Sequence, residues 1–219
     1  FVEESGKGPS DGARITVKKN GDISLLTGGA SLGQGFETTM AQICANALGV
    51  DYQKISVIHG QTNLIPYGIG AHAARATVMT GSAVNVTALT LRKKVLGIAS
   101  EMLQTPVEKL DIINGTVVLS ESSSGPSVTI GEIAERHKDG LATEDFHRTN
   151  HTTFPYGIHF AVVKVDPDTG QIDVERFLVA YDVGRAVNKM LLEGQLVGGC
   201  IQGIGGALYE EFVYSDTGE

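Results

Sequence analysis

The segment Leu32-Gly33-Gln34-Gly35 sets two glycines and an amide side chain between a strand-like stretch and a helix-like one. Amides at a helix N-terminus point outward and carry partial positive charge, which suits a phosphate or another polar oxygen group. Glycines let such a group come up to the backbone, and a glutamine amide both donates and accepts. A second small-residue loop, Pro66 to Thr77, leads into another helix-like stretch, where His72 and Arg75 could add positive charge for an anion. Near the other end of the chain, Gln195 and Gln202 stand seven residues apart, on nearly one face of a helix. Amides on an apolar, glycine-rich helix call for a polar ligand, or for a helix end near water. Each segment also has an ordinary reading: a tight turn, a loop made small for packing with Arg75 on the surface, and a solvated helix end.

The first turn holds a rival chemistry. Gly29-Ala30-Ser31-Leu32-Gly33 matches the Gly-x-Ser-x-Gly nucleophile elbow of serine hydrolases. That reading needs Ser31 at the end of a parallel central strand, followed in order by an acid and a histidine. The strand before Ser31 belongs instead to an antiparallel hairpin, and the nearest partners in type, Asp111 and His159, have nothing around them that singles them out. His147 and His151 are four apart but flank Arg148-Thr149-Asn150, a loop-or-strand segment unsuited to a shared metal. Asp166, Asp168 and Asp173 resemble a calcium loop only loosely, and a hairpin turn accounts for them better.

The elements that must position these groups follow from periodicity. Ala13 to Thr27 reads as two strands joined at Asn20-Gly21. Phe36, Met40, Ile43, Cys44, Ala47 and Leu48 repeat at helical spacing, Gly49 is placed to end that helix, and Ile55 to His59 is the next strand. A long helix is expected from Arg75, with Val84, Ala88, Leu91, Val95, Ala99 and Met102 along one face. Leu110 to Leu119 forms a hairpin turned at Asn114-Gly115, Ser120 to Pro126 a surface connection, and Thr129 with Glu132 a capping box. Gly157 to Val165 and Gln171 to Asp182 form a long hairpin, and Met190 to Glu211 a last helix carrying six glycines. Glycine costs a solvated helix roughly 1 kcal/mol relative to alanine, so something is expected to approach this backbone closely. The fold class is α+β, with mixed or antiparallel sheets, packed helices and two subdomains: residues 1–150 and residues 151–219.

Composition narrows the partners. With 42% hydrophobic and 19% charged residues, the chain is ordinary globular protein. A formal charge of −8 disfavours nucleic acid and anionic membrane, which need clustered lysine and arginine. Two cysteines, Cys44 and Cys200, lie in separate apolar stretches without ligand-spaced neighbours, so thiols in a reducing, cytoplasmic compartment are expected rather than a disulfide or an iron–sulfur site. Met190 to Leu208 is interrupted by Glu193, Gln195 and Gln202 and does not read as a membrane span.

Taken in order, Thr27-Gly28-Gly29 through Gly33-Gln34-Gly35, then Gly68 to Gly81, then Asp182-Val183-Gly184 with Asn188, then Glu193-Gly194-Gln195 through Glu211 resemble the molybdopterin-binding domain of the xanthine oxidase and aldehyde oxidase family. The resemblance covers nearly the whole chain. It implies that Gly33, Gln34 and Gly35 contact the pterin and the molybdenum ligands, and that Gln195 hydrogen-bonds the cofactor. It implies further that the loop from Ala71 to Thr77, with Ala73, Ala74, Arg75, Ala76 and Thr77, wraps the pterin phosphate. Molybdenum would be held through molybdopterin or its cytosine dinucleotide, with no direct protein ligand. The implied reaction is hydroxylation of an aldehyde, a purine or another N-heterocycle with water as oxygen source. The implied partners are 2Fe-2S and FAD domains or subunits and the rest of the molybdenum domain.

Two departures from the family pattern stand out. Ala71 and Ala74 replace the hydroxyl residues of Thr-x-x-Ser-Arg-x-Thr, while Arg75 and Thr77 remain; Lys189 stands where the family usually has proline. The lost hydroxyls leave room for a non-catalytic assembly module of the same fold. The family's general base is a glutamate in a Gly-Glu-Pro-Pro-like motif, which does not occur among these 219 residues. The base is therefore expected beyond residue 219, Glu210 and Glu211 are not assigned to it, and the isolated chain is expected to be inactive.

Overall fold

The computed structural model describes residues 1–65, 67–121, 125–137 and 140–218. Pro66, three serines of the Ser120 to Pro126 connection, and the terminal Glu219 lie outside the described residues. The chain divides into two compact units, residues 4–154 and residues 1–3 with 155–219.

The larger unit is built on a four-stranded mixed sheet in the order β3 (Ile55–Ile58), β2 (Ile23–Thr27), β1 (Ser10–Val17), β7 (Leu141–Arg148). Strands β1 (Ser10–Val17) and β2 (Ile23–Thr27) pair antiparallel, with Val17 opposite Ile23. Gly21 adopts φ 85° in the turn between them, the left-handed conformation that the Asn20-Gly21 signal anticipates. Strand β3 (Ile55–Ile58) lies parallel to β2, so helix α1 (Phe36–Leu48) is the crossover of a β-α-β unit. Alternation along β1 buries Ala13, Ile15 and Val17, which meet Phe36, Met40, Cys44 and Leu48 of α1 and Val84, Leu91 and Val95 of helix α2 (Gly81–Leu103) in one core. Gly49 closes α1 in the left-handed region at φ 85°, its N–H donating to the Ala45 carbonyl at 2.8 Å. Cys44 is an interior thiol whose burial pushes its pKa up to about 12, well away from thiolate chemistry.

A three-stranded sheet, β4 (Leu110–Ile113), β5 (Thr116–Leu119) and β6 (Val128–Thr129), leads into helix α3 (Ile130–Arg136). The Thr129–Glu132 capping box is fully formed. Strand β7 (Leu141–Arg148) adds to the free side of β1 and extends a region that sequence periodicity left without an element. Its alternation is weak because only Leu141 is fully buried. The expected long helix does not run unbroken from Arg75: Ala76–Thr80 forms a wider π-type turn before α2 begins at Gly81.

The second unit pairs β8 (Tyr156–Val165) with β9 (Ile172–Asp182) and is followed by helix α4 (Lys189–Leu208). The Asp166 carboxylate accepts the backbone N–H groups of Asp168 and Thr169 at 2.9 and 3.0 Å, which makes it the pin of the hairpin turn. Asn188 caps α4 by accepting the Leu191 N–H at 3.0 Å. Lys189 is thus the first helical residue, a position where proline is favoured because its N–H has no helical partner, so the replacement removes nothing the helix requires. No described residue from Pro155 to Gly218 is fully buried. A Cβ built at Gly194, Gly198, Gly199, Gly203 or Gly205 would meet nothing within 4 Å. Within the second unit, no described residue makes the close approach expected at these glycines. Among the described residues, no helix is long and apolar enough to cross a membrane.

Candidate functional site

In the larger unit, the two glycine-bearing loops are brought together by their own backbones. Gly28, which follows β2, and Gly68, in the loop before Arg75, lie back to back: a Cβ on Gly68 would sit 2.8 Å from the Gly28 Cα. A Cβ on Gly28 would strike the Tyr67 carbonyl and come within 2.6 Å of Asp11 Oδ1. Next along, Gly29 lies under the Phe36 ring that opens α1 and within 3.1 Å, by the same construction, of the Thr80 hydroxyl that ends the π-type turn. The Gly33-Gln34-Gly35 turn follows the first stretch of this contact, and the Gly70 to Thr77 loop follows the second.

The turn before α1 is shaped by Gly33 at φ 92° and Gly35 at φ 77°. Gly35 is the N-cap residue of α1, and no side chain accepts from the helix there as a cap. The Gln34 amide stabilises the turn: its oxygen accepts the Leu32 N–H at 2.6 Å and its nitrogen donates to the Ala30 carbonyl at 3.2 Å. A Cβ at Gly33 would meet nothing within 4 Å, so this stretch of backbone is open to a visitor. Glu37, in the first turn of α1, accepts the Ser31 hydroxyl at 3.1 Å and pairs with His59 Nε2 at 2.8 Å. Its pKa is lowered first by its own backbone N–H and then by His59, as expected for a carboxylate at the positive end of a helix. With a carboxylate already there, the α1 terminus favours neutral oxygen groups over a second full anion.

The other loop is held differently. Ala73 and Ala74 both take left-handed φ values, 45° and 49°, at a cost of about 1–2 kcal/mol each for a residue with a Cβ. Their N–H groups have no partner among the described residues, and Ala74 is exposed. Arg75 is not on the surface: its side chain is completely buried and ion-paired with the equally buried Asp11, Nη1 to Oδ2 at 3.1 Å. Thr77 is exposed and Ala76 half-buried. Asp11 escaped sequence reasoning, although β1 carries the signal: an acid stands in phase with Ala13, Ile15 and Val17 on the inward face.

The remaining candidates separate. Gln195 and Gln202 are exposed on α4, in the second unit. Asp182 accepts the Gly184 N–H at 2.9 Å and the Tyr156 hydroxyl at 2.9 Å, closing the end of the β8–β9 hairpin. Ser31 bonds to Glu37 and not to a histidine, and Asp111 is paired with Arg92, so the hydrolase reading has no geometry behind it. Among the described residues, no group of three histidine, cysteine or acidic side chains is arranged to hold a metal ion.

A family model described as the molybdopterin cofactor-binding domain matches residues 1–219. The chain belongs to that family. The gamma subunit of the 6-hydroxypseudooxynicotine dehydrogenase complex of Paenarthrobacter nicotinovorans is 34% identical across the whole chain. The domain superposes on CO dehydrogenase from Oligotropha carboxidovorans with TM-score 0.89 at 30% identity, and on quinoline 2-oxidoreductase from Pseudomonas putida 86 with TM-score 0.89 at 29% identity, in each case over 100% of its length. It spans 29% of the dehydrogenase subunit and 30% of each of those two chains.

The residues present fit a molybdopterin. The cofactor has a flat, polar ring system and an anionic phosphate end. Open backbone at Gly33 and unpartnered main-chain N–H groups at Ala73 and Ala74 match those two kinds of group. Replacing Gly28 by alanine is expected to destabilise the domain by about 2 kcal/mol or more, because the atoms in its way are largely backbone. Gly33→Ala should cost about 1–2 kcal/mol from its φ alone. Urea unfolding measures both, and equal costs would contradict the close packing at Gly28. Glu37 gives a pH signature. Because its folded pKa is lowered, its stabilising contribution is full above the ordinary value of 4.5 and fades as pH falls through the folded value. The stability gap between the wild type and Glu37→Gln should be full at pH 7 and narrow as pH falls below 4.5; a gap that does not narrow on acidification would contradict the pairing.

Proposed function

We propose that the domain seats the molybdenum cofactor of an oxidoreductase that hydroxylates a small molecule with water as the oxygen source. The observation that carries this reading is the back-to-back contact of Gly28 and Gly68, from which the Gly33-Gln34-Gly35 turn and the loop to Ala73 and Ala74 both lead. Gly33, Gln34 and Gly35 would meet the pterin and the oxygen ligands of the metal, and Ala73 through Thr77 would surround the phosphate, with Gln195 adding a hydrogen bond from α4. When bound, the cofactor supplies two-electron redox chemistry and a source of oxygen. The chain's own share is to bind, orient and keep the group in place. The general base is proposed to be a glutamate outside these 219 residues, which do not contain the Gly-Glu-Pro-Pro-like motif.

An N-heterocycle is favoured among the aldehyde, purine and heterocycle candidates, since relatives named for hydroxypseudooxynicotine and quinoline are at this level of similarity. Iron–sulfur and flavin partners would take the electrons, in keeping with a relative named as one subunit of a complex. The cytosine dinucleotide is the proposed alternative to the simple pterin. The two free cysteines accord with a cytoplasmic setting. The unfilled space around the α4 glycines would be occupied by the rest of the molybdenum domain.

The test is metal analysis of the purified enzyme that contains this domain, with mass determination of the released cofactor. About one molybdenum per chain is expected, falling several-fold in Gln34→Ala and Gln195→Ala. A correctly assembled complex without molybdenum would overturn the reading in favour of an assembly module.

A further inference from the structure

We infer that Asp11, Arg75 and Thr80 form a buried clasp that holds the Gly70–Ala74 backbone in its ligand-facing shape, so that the anionic end of the cofactor is met by main-chain N–H groups and not by the Arg75 charge. This rests on the cofactor reading above and deepens it, by assigning Arg75 a positioning role in place of direct contact.

The guanidinium is used up inside the protein. Its Nε donates to the Lys7 carbonyl at 2.9 Å, Nη1 to the Gly70 carbonyl at 2.9 Å, and Nη2 to the Ser10 carbonyl at 3.3 Å. Nη1 also faces Asp11 Oδ2 at 3.1 Å, and neither side chain has any solvent exposure. Asp11 is equally committed: Oδ1 accepts the Gly12 N–H at 2.9 Å, and Oδ2 accepts the Thr80 hydroxyl at 2.5 Å. A fully enclosed charge with this many partners has no reason to turn outward, because leaving would strand a buried carboxylate.

The geometry also says what is being held. Residue 75 is one end of the loop and Gly70 the other, and the Arg75 side chain bonds the Gly70 carbonyl directly, so a single residue clips both ends. Between them lie the two left-handed alanines, a backbone shape that persists only where the surroundings impose it. Thr80, at the end of the π-type turn, ties the following helix to the same carboxylate. Lysine in place of Arg75 keeps the charge but cannot reach three carbonyls and a carboxylate from one point.

The experiment compares wild type, Arg75→Lys and Thr80→Val in the whole enzyme. It reads molybdenum per chain, exchange in cofactor-free protein of the residue 75 amide, whose N–H donates to the His72 carbonyl at 3.0 Å, and exchange in the β1–α2 core. A clasp predicts that Arg75→Lys loses tenfold or more of its molybdenum and exchanges that amide of the loop at least tenfold faster even without cofactor, while the core stays protected. Thr80→Val, a milder change with the ion pair intact, should show the same two effects at a few-fold level. The inference is overturned if Arg75→Lys keeps its molybdenum, as a charge contact to phosphate would allow. It is overturned equally if the cofactor-free loop exchanges as in wild type, in both variants. Wild-type enzyme without molybdenum would sink the cofactor reading, and the cofactor-free exchange would still judge the clasp on its own.

Discussion

A Cβ at either Gly28 or Gly68 would drive apart two stretches of main chain that now touch, and almost everything proposed for this domain depends on their touching. The contact is possible only because neither residue has a side chain. It sets the distance between the turn that begins α1 and the loop that leads to the π-type turn, and Gly29 adds a second point of closure under Phe36 and Thr80. The sheet contributes the rigid part: β2 delivers Thr27 to Gly28 at its end, while β1, beside it, delivers Asp11 to the same place. A seat for a ligand is obtained from backbone geometry first, and side chains mostly hold that backbone in position.

Charge follows the same division. The full positive charge nearest the seat, Arg75, is neutralised in the interior by Asp11. The α1 terminus already carries Glu37, tied to Ser31 and His59. What remains to face a ligand is a set of partial charges on amides, in fixed directions. Such dipoles recognise phosphate and carbonyl oxygens without the cost of desolvating a mobile cation. The lost hydroxyls at Ala71 and Ala74 matter less in this light, since the N–H groups of the loop do not depend on side-chain identity.

Much of this was legible in the residues. Gly49 as the end of α1, the Asn114-Gly115 turn with φ values of 49° and 79°, and the Thr129–Glu132 capping box are local events fixed by one or two side chains, so sequence reads them directly. Strand β7 was not legible, because its alternation is diluted by one-sided exposure. The parallel pairing of β2 with β3 depends on how α1 packs, which no local pattern records. Arg75 misleads for a related reason: arginine is ordinarily a surface residue, and its burial follows from an acid 64 positions earlier in the chain. The glycines of α4 imply a close neighbour that no described residue of the second unit supplies.

The most direct measurement is a crystal structure of the whole enzyme with an anomalous difference map at the molybdenum edge. The account predicts a molybdenum peak beside the Gly33-Gln34-Gly35 turn, with phosphate density against the main-chain N–H groups of Ala73 and Ala74 and Arg75 still enclosed with Asp11. A peak remote from the seam between Gly28 and Gly68, or a cofactor phosphate held by the Arg75 guanidinium, would contradict it.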